Sequence, residues 1–395
     1  MELTRKQEEG LKIAVERHRN HEKYTVIAGY AGTGKSTLVK FIIAALDVDP
    51  SKVCYATFTG KAAQVLLKKG NRNVVTLHKL LYDSIPRPAG GFMRIPKKSL
   101  DYSIVVVDEV SMAPKTLMDL LFKHNVYVIC LGDPFQLPPI DKDEDNGLLA
   151  KPHIFLDEIM RQAAESEIIR LTMDIRENKP LKNMRGNQVH VVSKDELVMG
   201  MYNWADQVLV ATNLTRHAIN DQMREMRGFG PEPTDGDKII CLRNYWDDLS
   251  EMGTGDPLVN GTIGTLVTPT KDIIKVPFYA YDKGVIDVLS AGFISETRND
   301  YGMLNMDPRI IKGGESALEW RDKYKLGKLR DKIGDVIPKE FAYGYAITCH
   351  KAQGSEWDKV LVVEENFPRV KEEHARWLYT AATRAVDKLV IRRKE

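Results

Sequence analysis

The stretch from Gly29 to Thr37, "GYAGTGKST", limits what this chain can fold into more than any other segment. It fits the pattern G-x-x-x-x-G-K-[ST], with Gly29, Gly34, Lys35 and Ser36 at the fixed positions. The apolar run "YTVIA" directly precedes it. The segment therefore predicts a buried strand, a glycine-rich loop and a helix that begins at Lys35.

The same loop predicts a phosphate-binding site. In such a loop the backbone N–H groups and the helix N-terminus face the phosphates, Lys35 reaches the β and γ oxygens, and the Ser36 hydroxyl coordinates magnesium. We therefore expect a nucleotide and Mg²⁺ as ligands. The other loop residues that we expect around the phosphates are Ala31, Gly32, Thr33 and Thr37.

Short apolar strands alternate with helical segments from residue 24 to residue 140, as in "KVCYAT", "SIVVVDE" and "VYVICLGD". This alternation predicts a parallel sheet covered by helices on both faces, and the nearly continuous Val and Ile suit strands buried on both sides. A second set of such strands occurs at 207–213, 359–365 and 388–393. The sequence therefore predicts an α/β protein with two such domains.

Two stretches interrupt this pattern. From about 235 to 337, Gly-rich turns and short alternating strands predict a small β-rich domain inserted into the second α/β domain. Its charged run at 320–332 is interpreted either as a DNA-facing patch or as a solvated helix, and the solvated helix is favoured. The stretch 83–100 contains three Pro and two adjacent Gly, which predicts a short hairpin or loop insertion in the first domain.

Composition limits the class of protein. A length of 395 residues with 43% hydrophobic residues provides core for two or three domains and excludes a disordered chain. The net charge of +2 excludes a strongly basic coat, so a polyanion would be held by local patches. The charged N-terminus and short apolar runs indicate a soluble, cytoplasmic protein without membrane contact, and four scattered Cys suggest neither disulfides nor a zinc site.

Two acidic residues end the strand in "VVVDEVSM" at 105–112. A carboxylate at a strand end beside the phosphate loop can hold magnesium, and a second one can orient or deprotonate the attacking water. We assign Asp108 to the metal and Glu109 to the base. One strand later, "LGDPFQLPP" offers Gln136, whose amide can both donate and accept and so can sense a γ-phosphate or its water.

Taken together, these motifs resemble superfamily 1 helicases, and most closely the 1B branch of RecD-like and Dda-like DNA helicases. The resemblance covers nearly the whole chain. It implies two RecA-like P-loop domains with parallel sheets, a short insertion in the first and an SH3-like β-rich insertion in the second. The implied boundaries are 1–175 for the first domain with its pin-like insertion 83–100, 176–234 and 338–395 for the second, and 235–337 for the β-rich insertion.

The resemblance also implies roles for residues of the first half. "LTRKQEEGLKIAV" is similar to the family's Q motif, so Gln7 would hydrogen-bond adenine. "ATFTGKAAQVL" and "TLHKLLY" resemble the motifs that contact the DNA strand, which implicates Thr57, Lys61, Thr76 and His78. Single strands also need stacking surfaces, and we expect these from Phe58, Tyr82 and Phe92.

Further roles fall between the two domains and in the second half. "LDEIMRQAAESEIIRLTMDIREN" resembles the motif whose arginine reaches the γ-phosphate, here Arg161. "LYTAATRAVDKLVI" resembles the motif that carries the arginine finger, here Arg384. "AYGYAITCHKAQGSEWDKVLVV" resembles the motif that links DNA to nucleotide, with matching residues at Thr348, His350, Lys351, Gln353 and Gly354.

The resemblance implies an ATP- and Mg²⁺-dependent DNA helicase that moves 5′ to 3′ on single-stranded DNA and serves replication, recombination or repair. We expect single strands and strand–duplex junctions as partners, with a single-strand-binding or replication protein as a further one. We also expect a monomer, in the cytoplasm of a bacterial or phage-infected cell.

Two alternatives stay open at this stage. One is a RecD-like, DNA-stimulated ATPase subunit that works only inside a larger recombination complex. The other is a GTPase switch or small-molecule kinase with the same loop. The second is disfavoured because "NKPL" at 178–181 lacks the Asp of a guanine-selecting motif, and neither class needs a second α/β domain.

Overall fold

The chain folds into two compact units. Unit 1 comprises 1–83, 96–211 and 349–395, and unit 2 comprises 84–95 and 212–348. A computed structural model describes residues 3–86, 92–138, 145–249, 257–270, 274–278, 284–296, 299–313 and 338–394. The charged run 320–332 therefore lies outside the described residues.

The first sheet of unit 1 is parallel throughout its described strands. Their order across the sheet is β3-β2-β6-β7-β1-β8, and every neighbouring pair runs parallel. The strands are β1 (Tyr24–Gly29), β2 (Val53–Thr57), β3 (Val74–Thr76), β6 (Ile104–Val107), β7 (Tyr127–Gly132) and β8 (Ile154–Leu156). The parallel α/β organisation predicted from the sequence is confirmed.

Both faces of this sheet are buried, which explains its continuous apolar strands. Successive side chains of a strand point to opposite faces. Val105 and Val107 accordingly lie in one buried cluster, and Ile104 and Val106 lie in another. Full burial of each such side chain contributes about 1.5–3 kcal/mol.

Helices cover the two faces of the first sheet. The helix α1 is fixed by a capping box between Thr4 and Gln7, and Thr59, Thr76 and Ser166 cap α3, α4 and α7 through their hydroxyls. The helices up to this point of the chain are α1 (Arg5–Arg19), α2 (Lys35–Ala45), α3 (Gly60–Lys68), α4 (Leu77–Leu81), α5 (Lys115–Leu121), α6 (Arg161–Ala164) and α7 (Glu167–Arg176).

The second sheet also belongs mainly to unit 1. Its unit 1 strands lie in the order β11-β21-β22-β10-β9. They are β9 (Met184–Arg185), β10 (Val189–Val192), β11 (Gln207–Val210), β21 (Trp357–Val363) and β22 (Ala385–Arg392). Its helices in unit 1 are α8 (Met199–Trp204), α11 (Cys349–Ala352) and α12 (Lys371–Ala382). We call the first sheet with its helices lobe 1, and these strands and helices lobe 2.

One edge strand of lobe 2 runs against the other strands. The edge strand β9 pairs with β10 in the antiparallel sense, while the other pairs within lobe 2 are parallel. A short turn joins β9 to β10, and parallel strands would need a crossover of a dozen or more residues. The predicted parallel sheet thus carries one short antiparallel strand at its edge.

Unit 2 is rich in antiparallel strands. Its main sheet has the order β16-β17-β15-β12-β19, and β18 pairs with β17. The described elements of this unit are α9 (Asn213–Met226), β12 (Lys238–Cys241), β13 (Tyr245–Leu249), β14 (Pro257–Leu258), β15 (Ile263–Val267), β16 (Ile274–Phe278), β17 (Gly284–Ser295), β18 (Asp300–Met306), α10 (Pro308–Gly313), β19 (Phe341–Tyr343) and β20 (Ala346–Thr348). Its likeness to an SH3 domain stays a prediction.

A buried ion pair organises unit 2. Arg224 donates through Nε and Nη2 to the two carboxylate oxygens of Asp237, at 2.9 and 3.1 Å, and Asp237 is fully buried. The Tyr345 hydroxyl also donates to Asp237, at 3.0 Å. Because each charge has fixed partners, the pair joins α9 to the segment that leads into β12.

The Pro-rich stretch 83–100 contains two strands that pair with each other. They are β4 (Tyr82–Pro86) and β5 (Phe92–Pro96). The predicted short insertion therefore contains a strand pair. Its proposed action as a strand-separating pin stays a prediction.

Candidate nucleotide and nucleic-acid site

The predicted site residues of lobe 1 lie along the carboxyl edge of the first sheet. Gly29 ends β1, Asp108 follows β6, and the loop that carries Gln136 follows β7; these strands are neighbours in the sheet. Thr57 and Thr76 end β2 and β3 and are paired across the two strands. The topology thus places the predicted nucleotide residues beside the predicted DNA residues on one edge.

The phosphate loop depends on glycine at two positions. Gly32 and Gly34 have φ angles of +78° and +77°, in the left-handed region that favours glycine. A Cβ on Gly34 would also collide with Gln7 Nε2 and Met160 Sδ. Lys35 Nζ donates to Gly29 O at 2.7 Å and to Tyr30 O at 3.0 Å, so its ammonium group lies over the loop.

Gln7 supports this loop directly. Its Nε2 donates to Thr33 O at 3.1 Å, and its Oε1 accepts from the backbone N–H of Thr4 at 3.0 Å. The side chain is fully buried. Gln7 therefore ties α1 to the phosphate loop, and its contact with adenine stays a prediction.

Asp108 and Glu109 lie beside the loop, as their positions in the sequence predict. Burial, together with the charge of Glu109, raises the pKa of Asp108, and Lys35 and Lys69 oppose this shift. Glu109 has a φ of +50°, which is uncommon for a residue other than glycine and indicates backbone strain. Asp108 Oδ1 accepts from the Glu109 N–H at 2.9 Å and helps to hold this conformation.

Arg384 of lobe 2 reaches Glu109 of lobe 1. Arg384 Nη1 lies 3.3 Å from Glu109 Oε1, and the two side chains are only 7% and 23% exposed. The guanidinium group also donates to Thr380 O at 3.1 Å and Ser355 O at 3.3 Å. The predicted arginine finger and the predicted base thus meet across the two lobes.

Gln136 lies on a loop that lobe 2 holds from both sides. Its backbone N–H donates to Asp133 O at 3.3 Å. The next residue, Leu137, donates its N–H to Thr380 Oγ1 at 2.9 Å and accepts from Gln353 Nε2 at 2.8 Å. The role of Gln136 toward a γ-phosphate stays a prediction.

The structure adds two residues that the sequence interpretation passed over. Tyr379 donates to Asp133 Oδ2 at 2.5 Å and accepts from the Ala31 N–H at 2.9 Å. Both occur inside motifs that were already recognised, "LYTAATRA" and "LGDPFQLPP". The only signal in the sequence was this position, because a tyrosine on a helix is usually part of the core.

Several predicted DNA residues of lobe 1 form a second group on the same edge. Phe58 and Tyr82 flank His78, with ring centroids 5.9 and 6.3 Å from it. The Thr57 hydroxyl donates to Thr59 O at 2.8 Å, and Thr76 Oγ1 accepts from Lys79 N at 3.3 Å. The threonine hydroxyls shape the local turns. The three aromatic rings are half-exposed and form the surface of this group.

The segment predicted to link DNA to nucleotide, which contains Gly354, contacts the N-terminal end of α3. Gly354 has a φ of +74°, and a Cβ there would lie 2.9 Å from Ala62 Cβ and 3.0 Å from Thr59 Oγ1. Lys61 Nζ lies 5.9 Å from the centroid of the Trp357 ring. The gap between the lobes is therefore closed at this point by backbone and small side chains.

The remaining predicted residues lie on several different elements. Burial lowers the pKa of His350 on α11, and Lys351 beside it is exposed. Thr348 ends β20 in unit 2. Arg161 begins α6 and Phe92 begins β5, but their side chains lie outside the described residues.

The residues present fit a nucleotide with a magnesium ion. Lys35 Nζ is bound only by loop carbonyls that phosphate oxygens can replace, while Ser36 is exposed at the first turn of α2. Within the described part of the chain, no group of three or more His, Cys, Asp and Glu side chains is placed to hold a metal. Magnesium keeps waters and phosphate oxygens as ligands, so Ser36 and Asp108 are a sufficient protein contribution.

Comparison with known proteins agrees with this site. The AAA domain family matches residues 2–194, and the UvrD-like helicase C-terminal domain family matches residues 343–391. The chain is 27% identical to the ATP-dependent RecD2 DNA helicase of Deinococcus radiodurans over 93% of its own length and 46% of the relative's. It is 32% identical to the RecBCD enzyme subunit RecD of Mycolicibacterium smegmatis over 91% of its own length and 66% of the relative's.

The chain thus spans about half the length of RecD2 and just under two thirds of that RecD. Among solved structures, it resembles Pif1 helicases at forked double-stranded DNA, with a TM-score of 0.53, 19% identity, and coverage of 99% of this chain and 92% of the other. It also resembles Pif1 from Bacteroides in complex with ADP-AlF3 and single-stranded DNA, with a TM-score of 0.51, 17% identity and the same coverages.

Fold and site together define a P-loop nucleotide-binding protein with parallel-sheet lobes of the RecA-like kind. The two family matches and the RecD-type relatives support a similarity to superfamily 1B helicases. Within the described residues, no helix is both long and apolar enough to span a membrane.

Proposed function

We propose that this protein hydrolyses ATP to move 5′ to 3′ along single-stranded DNA and to unwind duplex DNA. The observation that carries the proposal is the contact of Arg384 with Glu109, because it places a lobe 2 guanidinium at the lobe 1 nucleotide edge. Support comes from RecD2, which is named an ATP-dependent DNA helicase, and from the Pif1 structure with single-stranded DNA.

Different residues of the chain have different roles in hydrolysis. Lys35 and the loop N–H groups bind the phosphates, with Ser36 and Asp108 holding Mg²⁺, which when bound neutralises phosphate charge. Glu109 accepts the proton of the attacking water, and Gln136 orients that water. Arg161 and Arg384 stabilise negative charge that develops on the γ-phosphate.

Hydrolysis is coupled to movement because both lobes contribute to one nucleotide site. Arg384 acts on the γ-phosphate only while the lobes are together, so loss of that phosphate weakens their contact. The proposed strand contacts lie on both lobes: Phe58, Lys61 and His78 on lobe 1, and His350 and Lys351 on lobe 2. Opening and closing therefore changes the grip on the strand.

The test is ATP hydrolysis by the purified chain with and without single-stranded DNA. We expect strong stimulation by the strand and strand affinity that falls steeply with salt, because phosphate contacts release counterions. Lys35→Ala should remove nucleotide binding, and Glu109→Gln should keep binding but stop turnover. Lys40→Ala, an exposed lysine on the same helix, is the control and should behave as the parent. Normal turnover by Lys35→Ala would disprove the site.

A second candidate is a strand-stimulated ATPase subunit that unwinds DNA only within a larger complex. The 32% identity to a RecBCD subunit favours it. The two functions separate in an unwinding assay without added partners, since the second predicts strand-stimulated hydrolysis with no strand separation.

A further inference from the structure

Tyr379 occupies a position between three functional segments. It lies on α12 of lobe 2, and its side chain is almost completely buried. Its hydroxyl accepts from the N–H of Ala31 in the phosphate loop at 2.9 Å and donates to Asp133 Oδ2 at 2.5 Å. One hydroxyl group thus connects the phosphate loop, the loop that follows β7 and the helix that leads to Arg384.

We propose that Tyr379 is a positioning residue that sets the phosphate loop and the Gln136 loop relative to Arg384, so that the hydrolytic groups align together. This inference rests on the proposed function. Its effect is on the rate of hydrolysis, because Tyr379 acts through Ala31 and Asp133 and not on the nucleotide itself.

Asp133 transmits the position of Tyr379 to Gln136. Its Oδ1 accepts from the N–H of Phe135 at 2.9 Å, and its backbone carbonyl accepts from the N–H of Gln136 at 3.3 Å. The carboxylate therefore shapes the turn on one side while it accepts from Tyr379 on the other. A shift of the tyrosine hydroxyl moves the turn that carries Gln136.

A second set of contacts fixes the far side of the same loop. Leu137 donates its N–H to Thr380 Oγ1 and accepts from Gln353 Nε2, at 2.9 and 2.8 Å. Thr380 is adjacent to Tyr379 on α12, so the helix holds the loop at both ends. Gln136 lies between these two anchored positions and has little freedom of its own.

The tyrosine keeps its proton under all ordinary conditions. Burial and the neighbouring Asp133 charge raise the pKa of Tyr379, while the Ala31 N–H opposes the shift. The hydroxyl therefore remains a donor to Asp133 and an acceptor from Ala31, and the connection does not depend on pH near neutrality.

Tyr379→Phe removes this hydroxyl and leaves the ring in place. We expect kcat for strand-stimulated ATP hydrolysis to fall about tenfold or more, the size of a lost hydrogen bond to a charged group. The Kd for ADP should stay within about twofold, because Lys35 and the rest of the loop still bind the phosphates. Hydrogen exchange at the Ala31 amide should become faster.

Tyr127→Phe is the matched control. Like Tyr379, Tyr127 is buried, and its hydroxyl makes two hydrogen bonds, to Ala14 O at 3.0 Å and with Thr25 Oγ1 at 2.5 Å. Unlike Tyr379, it belongs to lobe 1 and is the first residue of β7. We expect this variant to lose similar thermal stability and to keep the parent's kcat.

Three results would overturn the inference. One is a kcat of Tyr379→Phe within twofold of the parent, and another is an equal loss of kcat in both variants. A third is Ala31 exchange that does not change. If the parent itself hydrolyses no ATP, the proposed function fails and the inference fails with it, so the two failures are distinguished by the parent's activity.

Discussion

At the scale of the residue, Glu109 combines strain with a charge partner. Its φ of +50° has a cost for any side chain with a Cβ, and such residues cluster at functional sites. The Asp108 carboxylate and the Arg384 guanidinium fix it from two sides, at 2.9 Å from its N–H and 3.3 Å from its Oε1. The carboxylate of the proposed base is thus oriented by contacts within the protein itself.

Arg384→Ala tests the role of the cross-lobe arginine. We expect kcat to fall by about 10³-fold or more, the range for an arginine finger, because the variant lacks the guanidinium group proposed to neutralise charge at the γ-phosphate. ADP affinity should change little. Hydrolysis and ADP binding are measured side by side, with Arg369→Ala, an exposed arginine of the same lobe, as the control. Equal losses in both variants would contradict the assignment.

Gly354→Ala tests the close contact between the linking motif and α3. The new Cβ would press on Ala62 and Thr59 and would force alanine into a left-handed conformation. Gly70→Ala is the control, since Gly70 also has a positive φ, +83°, but open space around it. We expect about 1 kcal/mol of destabilisation in both and a marked loss of strand stimulation only in Gly354→Ala. Equal strand stimulation in the two variants would refute a role of this close contact in strand stimulation.

Single residues were predictable where a motif fixes the backbone. Gly34, Lys35 and Asp108 lie where the sequence places them, because strand, loop and helix follow from local patterns. The support that Gln7 gives to Thr33 was not predictable, because it joins residues far apart in the chain. Contacts of that kind depend on how α1 packs on the sheet.

At the scale of the element, Glu167 joins helix α7 to the β9–β10 turn. Its carboxylate accepts from the backbone N–H groups of Asn187, Gln188 and Val189, at 3.1, 2.7 and 3.0 Å. In return, Gln188 Oε1 accepts from the N–H of Glu167 at 2.9 Å. This arrangement fixes the start of α7, which packs against α12 and β22 in lobe 2.

The hydrogen bonds that the Glu167 carboxylate accepts predict a dependence of stability on pH. The N–H groups of Gln188, Asn187 and Val189 lower the pKa of Glu167 below its usual 4.5. The ionised carboxylate therefore stabilises the fold at pH values above the unfolded-state pKa. This stabilisation is lost as the pH falls through the folded-state pKa. Glu167→Gln should lower Tm at pH 7, and the difference from the parent should shrink below pH 4.5. Glu165→Gln, an exposed neighbour, is the control; a difference that grows at low pH would refute this role of Glu167.

The elements themselves were largely predictable. Continuous Val and Ile marked β6 and β7 because both faces of these strands are buried. β9 was missed because two exposed residues carry no apolar pattern, and its antiparallel pairing depends on a turn. The pairing of β4 with β5 followed only in outline from the Pro and Gly residues, which mark a turn without fixing strand register.

At the scale of the whole molecule, strand order places two groups of predicted site residues on one edge. β6, β7 and β1 are neighbours and present the predicted nucleotide residues, while β2 and β3 present Thr57 and Thr76, two predicted DNA residues, beside them. The order of strands cannot be read from a sequence, because apolar patterns identify strands and not their neighbours.

The contacts between the two lobes were the feature least predictable from the sequence. The motifs implied that Arg384 would act at the nucleotide site, but nothing local to Tyr379 or Gln353 indicated that they would hold the loop of Asp133 and Leu137. Such contacts depend on tertiary packing over long separations in the chain.

Unwinding of tailed duplexes by the purified chain with ATP tests the central proposal most directly. Two substrates with the same duplex, one with a 5′ single-stranded tail and one with a 3′ tail, are compared without partner proteins. We predict strand separation on the 5′-tailed substrate alone, and none with Lys35→Ala. Separation only from the 3′ tail would contradict the proposed direction, and strand-stimulated hydrolysis without separation of either substrate would contradict an independent helicase.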